Sequence, residues 1–212
     1  NAYLIGALIY RFVKARNEKE ELGKMLTKSR LSSLEAQLNS HFLFNALNSL
    51  AELIHIDSAK AEDMTLKLSS FLRAAMVEKP LIELSEEIES ARRYIELENI
   101  RFDGAIELSV DIAPECQKML VPKFSVQLLC ENGVKHGLTN GQNGLRIFIK
   151  AVATKSSLQI TVSNDGKQVQ TGDFGVGLCN LRERLQRLQN GTLELSDTKN
   201  VTYKITIQGV EG

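Results

Sequence analysis

The sequence predicts an α+β chain with a helical front half and a sheet-and-helix back half. Three observations predict it. From Arg11 to about Ile56 there is no proline and one glycine, Gly23, among residues that favour helix. At Ile106 the period switches to alternation, in Ile106-Glu107-Leu108-Ser109-Val110-Asp111-Ile112. Further strand patterns at 145–153, 157–163, 192–196 and 202–208 are interleaved with helical ones at 123–137 and about 178–189. That order gives one mostly antiparallel sheet with helices on one face.

Composition narrows the class. A chain of 212 residues holds one domain or two small ones. Lys+Arg and Asp+Glu balance at 26 each, so there is no basic footprint for nucleic acid. Cys116, Cys130 and Cys179 are odd in number and widely spaced, which fits reduced thiols in a cytosolic setting and supplies no zinc set.

Tyr3-Leu4-Ile5-Gly6-Ala7-Leu8-Ile9-Tyr10 is apolar and is followed at once by Arg11, Lys14 and Arg16. The run is shorter than the roughly 20 residues a span needs. It is expected to be the inner end of a transmembrane helix, with Tyr10 at the interface and the cations on the cytoplasmic side. An amphipathic start to a water-exposed helix is the other reading. Leu43, Leu47, Leu50 and Ile54 form a helical stripe at spacings of four, three and four. Asp57 or Ser58 is placed to cap a second helix, with Met64, Leu68, Phe71, Leu72 and Ala75 on one face and Pro80 beyond its end. Two helices joined this closely predict an antiparallel hairpin, and a four-helix dimer would bury the stripes. Ser85-Glu86-Glu87-Ile88 opens a third helix running to about Phe102. The expected organisation is 1–16 membrane end and juxtamembrane segment, 17–82 helical hairpin, and 83–212 α/β sandwich.

Four stretches carry chemistry. In Glu131-Asn132-Gly133-Val134-Lys135-His136-Gly137, the positions of Asn132, Lys135 and His136 share one helix face. An amide oxygen is a hard ligand suited to Mg²⁺, and Lys and His beside it offset phosphate charge. The same residues also fit a helix C-terminus whose cations simply complement the dipole. Val162-Ser163-Asn164-Asp165-Gly166 ends a strand and is turn chemistry in its own right. Gly175 and Gly177 precede a helix whose N-terminus suits phosphate. Ser40-His41-Phe42-Leu43-Phe44-Asn45 holds one of three histidines. A neutral imidazole there is a nucleophile for a phosphoryl group, or one polar member of a bundle seam.

Taken in this order and spacing, these stretches resemble the GHKL ATPases, in the variant of LytS-type sensor histidine kinases. The resemblance covers about residues 34–209 and implies a Bergerat-type ATP-binding domain. Residues 127–137 resemble the N box, 162–166 the G1 box, and Gly175-Val176-Gly177-Leu178-Cys179-Asn180 the G2 box. It implies that Asn132 binds Mg²⁺. Lys135, His136, Asn164, Gly166, Gly175, Gly177, Leu178 and Asn180 would then hold ATP. It implies that His41 accepts the γ-phosphoryl and passes it to a response-regulator aspartate. Asn45, one turn on, would orient a water for dephosphorylating that aspartate. Glu131 is a candidate base for His136 or a water. Tyr94 to Arg101-Phe102 matches the family segment between the two domains. The 166–175 interval is short for an ATP lid, as in LytS-type members.

Three departures stand out: Ser40 for the family's proline, Asn164 for its adenine-contacting aspartate, and Gln168 for a glycine. They motivate an alternative, a regulator phosphatase with weak or no autokinase activity. A non-catalytic dimeric coiled-coil adaptor is a third possibility and predicts no nucleotide binding. The resemblance further implies a homodimer at the cytoplasmic face of a bacterial membrane, attached to the inner membrane through the N-terminal segment.

Overall fold

Strand alternation and helix caps locate the elements. The computed structural model describes residues 40–77, 79–138, 144–154, 156–166, 174–197 and 200–209, apart from the side chains of Ser40, His41 and Asp197. The chain divides into two compact units, Asn1–Asn45 and Ala46–Gly212. Of the first, residues 40–45 are described. The expectations for the membrane end (1–16), for the helix through 39, for Gln168 and for the 167–173 interval lie outside the described residues. Among the described residues no helix is long and apolar enough to cross a membrane.

The helices α1 (Ser40–Ile56) and α2 (Ser58–Ala75) are separated by Asp57 alone. Asp57 is the expected cap: its backbone is extended and its carboxylate accepts from Lys60 N at 3.0 Å. Helix α2 buries Ala61, Met64, Leu68, Phe71 and Ala75. That stripe lies against α3 (Leu84–Arg101) of the same chain. Leu66 stays exposed on α2, as do Phe44, Leu47, Ile54 and Ile56 on α1.

Helix α3 begins one residue before Ser85 and leads into β2 (Ile106–Ile112). Asn99 fixes that turn. Its amide donates to Ile106 O and accepts from Ile106 N, both at 2.8 Å, imitating a strand partner. A short ribbon pairs β1 (Leu81–Glu83) with β3 (Leu120–Pro122). A 3₁₀ turn at Pro114–Cys116 precedes β3.

Helix α4 (Ser125–Gly137) follows, then β4 (Leu145–Ala153), β5 (Ser157–Asn164), α5 (Val176–Gln189), β6 (Thr192–Asp197) and β7 (Val201–Gln208). The main sheet runs β2-β4-β5-β7-β6. The β2–β4 pair is parallel, because the chain crosses over through α4, and the other pairs are antiparallel. In β4, Leu145, Ile147, Ile149 and Ala151 are buried while Arg146, Phe148, Lys150 and Val152 are exposed. One face therefore carries the helices, as the alternation requires. The buried sheet face packs with Leu129 and Val134 of α4 and Leu181 and Leu185 of α5. Each such side chain contributes about 1.5–3 kcal/mol on burial.

Candidate functional site

Helix α4 places the N-box side chains. Asn132 is half-buried, and its Nδ2 donates to Leu128 O, one turn back, at 2.8 Å. That bond sets the amide's orientation and turns Oδ1 away from the helix's own carbonyls. Lys135 and His136 are exposed in the last turn. Burial lowers the proton affinity of His136, and the charge of Lys135 lowers it further, so the imidazole is neutral at neutral pH. Glu131 is half-buried, and its charge acts on Tyr94 and Glu98 of α3.

The G1 residue Asn164 sits at the end of β5 and is 3% exposed. Three glycines surround its amide. A Cβ on Gly133 would lie 3.4 Å from Asn164 Oδ1. On Gly137 it would meet Leu145 Cδ1 at 2.5 Å and Asn164 Nδ2 at 3.2 Å, and on Gly166 it would meet Asn164 Nδ2 at 3.0 Å. Only bare backbone lets α4, the strand end and the following turn close on this amide. The neighbouring Asp165 is committed elsewhere. Its carboxylate accepts from Arg146 N at 2.8 Å and pairs with Arg146 Nε at 2.7 Å. Burial pushes that carboxyl up, but the bonds from Arg146 outweigh it and hold it below the usual range. Asn164, not Asp165, is thus the side chain presented among the glycines.

The G2 residues open α5. Gly175 caps the helix with φ −59° and ψ 167°, so its conformation needs no glycine. Among the described residues a Cβ there would touch nothing within 4 Å. Gly177 is exposed and faces Leu128 of α4, where a Cβ would stand 3.4 Å from Leu128 Cδ1. Leu178 is buried and anchors the turn, while Asn180 is exposed. Cys179 Sγ lies 3.2 Å from Phe174 O. The N-terminus of α5 lies against the helix that carries Asn132.

His41 and Asn45 lie in α1, one turn apart, within the first unit. Asn45 is half-buried. The side chain of His41 lies outside the described residues. The fold seats Asn164 among Gly133, Gly137 and Gly166, and sets Gly177 at the start of α5 against Leu128, whose carbonyl holds the Asn132 amide. Among the described residues no cluster of three His, Cys, Asp or Glu side chains forms a metal site. A cation here would rest on Asn132 Oδ1 and on phosphate oxygens, the oxygen donor set that suits Mg²⁺.

The histidine kinase family model matches residues 29–106, which include His41, α2 and α3. Sensor protein LytS of Staphylococcus saprophyticus is 38% identical over 154 residues, covering 69% of this chain and 26% of that protein. A protein named sensor histidine kinase/phosphatase LytS from Staphylococcus aureus is 33% identical over 155 residues, covering 72% and 26%. The chain belongs to the LytS-type histidine kinases. It spans about a quarter of the length of these relatives. A histidine kinase domain from the Erythrobacter litoralis EL346 blue-light activated kinase is similar at 17% identity and TM-score 0.49. It covers 85% of this chain and 91% of that one, a likeness too loose to say anything about the site.

Sequence reasoning missed two features around this candidate site. The first is the glycine socket. Gly137 reads from sequence only as a helix stop, although Gly133 and Gly137 one turn apart inside a helix already signal a close approach. The second is Glu87 of α3, which is 0% exposed. Its carboxylate accepts from Phe124 N at 2.8 Å, Val126 N at 2.9 Å and Gln127 N at 3.1 Å, capping α4 from another helix. Phe124, the residue before α4, has φ 62° and ψ 22°, a left-handed conformation that costs a non-glycine residue about 1–2 kcal/mol. In sequence, Glu86-Glu87 reads as an exposed acidic first turn, and nothing local marks one of the pair as buried.

Proposed function

We propose that the chain is the catalytic region of a two-component sensor histidine kinase. It would autophosphorylate on His41 at the expense of ATP and pass the group to a response-regulator aspartate. The observation that carries this reading is the convergence of Asn164, its three glycines, Asn132 and the open N-terminus of α5 within one unit. Asn164 would meet the adenine edge, its amide both accepting and donating. Gly175 and Gly177 would leave the first amides of α5 open to phosphate. Asn132 Oδ1 would hold Mg²⁺, which when bound offsets the charge of the phosphates. Lys135, together with a neutral His136, would contact the same phosphates, and Asn180 would add a polar group at the start of α5. Glu131 would serve as the base that polarises His136 or a water. We read 17–82 as the dimerisation and phosphotransfer part, 83–212 as the ATP-binding part, and 1–16 as the attachment to the cytoplasmic face of a membrane. The working unit is a homodimer, in which the exposed apolar residues of α1 would be covered.

Incubation with γ-labelled Mg-ATP tests the reading. Acid-labile, base-stable label on the parent, absent from His41→Ala and Asn132→Ala, is expected. An unlabelled parent that still binds ATP would refute the kinase assignment. The phosphatase reading would then stand, favoured by the Ser40 and Asn164 departures and by the S. aureus relative, which is named a sensor histidine kinase/phosphatase. It predicts that the chain dephosphorylates a phosphorylated regulator and that Asn45→Ala does not.

A further inference from the structure

Three hydrogen bonds run in series from α3 to the proposed metal ligand. Glu87 Oε2 accepts from Phe124 N at 2.8 Å. Phe124 O accepts from Leu128 N at 3.4 Å. Leu128 O accepts from Asn132 Nδ2 at 2.8 Å. A fully buried carboxylate stands at the head of this run and the Asn132 amide at its tail. The other carboxylate oxygen holds Val126 N and Gln127 N, so the first turn can neither slide nor rotate without breaking bonds to a buried group. The left-handed Phe124 persists because Glu87 holds its N–H.

The joint also reaches the other helices. The Lys123 ammonium donates to Ala74 O at 2.8 Å and Ala75 O at 3.0 Å, in the last turn of α2, and to Val77 O at 2.6 Å just beyond it. Arg184 of α5 donates to Lys123 O at 2.5 Å. Residues 123 and 124 therefore tie the end of α2, the start of α4 and the helix of the G2 box to one point.

We propose that Glu87 is the positioning residue of the nucleotide site, setting through Phe124 and Leu128 the register at which Asn132 presents its oxygen to Mg²⁺. This rests on the reading of Asn132 as the Mg²⁺ ligand. Glu87 touches neither nucleotide nor metal. It acts through the helix, as the outer partners of a metal ligand do.

The test is a double-mutant cycle on the chain, with Glu87→Gln and Asn132→Ala. A fluorescent ATP analogue reports affinity with saturating Mg²⁺ and again in EDTA. Glutamine keeps the shape but sets an NH₂ against one of the backbone N–H groups. Glu87→Gln is expected to weaken the Mg²⁺ complex about tenfold. It should leave the affinity in EDTA close to the parent's, and it should have no further effect once Asn132 is alanine. Equal weakening in both backgrounds, equal weakening with and without Mg²⁺, or no weakening would overturn the positioning role and leave the nucleotide site standing. An Asn132→Ala variant that keeps the full Mg²⁺ dependence would remove both the ligand assignment and the proposal. Should Glu87→Gln lose the parent's circular dichroism, Glu87→Asp is carried through the same cycle and judged by the same outcomes. Its shorter carboxylate keeps the charge.

Discussion

Replacing Lys123 with methionine removes a cation while keeping the length of its apolar stem. Lys123 is 9% exposed and satisfies three carbonyls at the end of α2. A helix ends with unpaired carbonyls, and here one side chain meets two carbonyls of the last turn, Ala74 O and Ala75 O, and Val77 O just beyond it. The bond to Ala75 O is buried, whereas those to Ala74 O and Val77 O are part-buried and open to water after the change. One orphaned buried carbonyl costs about 1–3 kcal/mol, and loss of a cation at a helix C-terminus adds about 0.3–1 kcal/mol. Burial works against this ammonium, lowering its proton affinity, with the charges of Glu87 and Glu86 opposing that effect. The desolvation regained on mutation therefore trims the sum to about 2 kcal/mol. In urea, followed by circular dichroism, a slope near 2 kcal/mol/M converts this into a midpoint about 1 M lower. A midpoint within about 0.2 M of the parent's, at unchanged slope, would refute the reasoning. It would mean that water or a local rearrangement serves these carbonyls as well as Lys123 does.

Two further outcomes follow from the same geometry. Burial raises the Glu87 carboxyl from 4.5 to about 7 against the pull of three backbone N–H groups and Arg184. The folded state thus binds this proton more tightly than the unfolded chain, so stability from this group is full below about pH 4.5 and is lost as pH rises toward 7. The displacement is worth about 3 kcal/mol. Urea midpoints across that window should fall in the parent and stay flat by comparison in Glu87→Gln, and parallel profiles would exclude the linkage. Gly137→Ala would drive a Cβ against Leu145 Cδ1 and crowd the Asn164 amide. It should destabilise the fold by about 1–3 kcal/mol and weaken adenine-nucleotide binding, read by thermal melting with and without ATP. An alanine variant with parental melting and binding would show that the socket is not tight.

The sequence by itself determined the elements whose signals are local. Alternation placed β4 at Leu145–Ala153, the bounds the structure has, because a strand with one face on a core must alternate. The Asp57 cap and the helix stop at Gly137 were legible for the same reason: one residue and its own backbone carry the effect. Tertiary structure alone decided the rest. The stripe of Met64, Leu68 and Phe71 announced that α2 must be covered, but burial is non-directional, and which surface covers it depended on where α3 docks. The β1–β3 ribbon has three residues per strand, too few to alternate, and exists because two distant segments meet. Glu87 looks from sequence like any acid in a first helical turn, and its burial is fixed by the amides of residues 37 to 40 positions away. Local periodicity is written by neighbours along the chain. The partner of a buried charge is set by the packing of whole elements, and no stretch of sequence contains that.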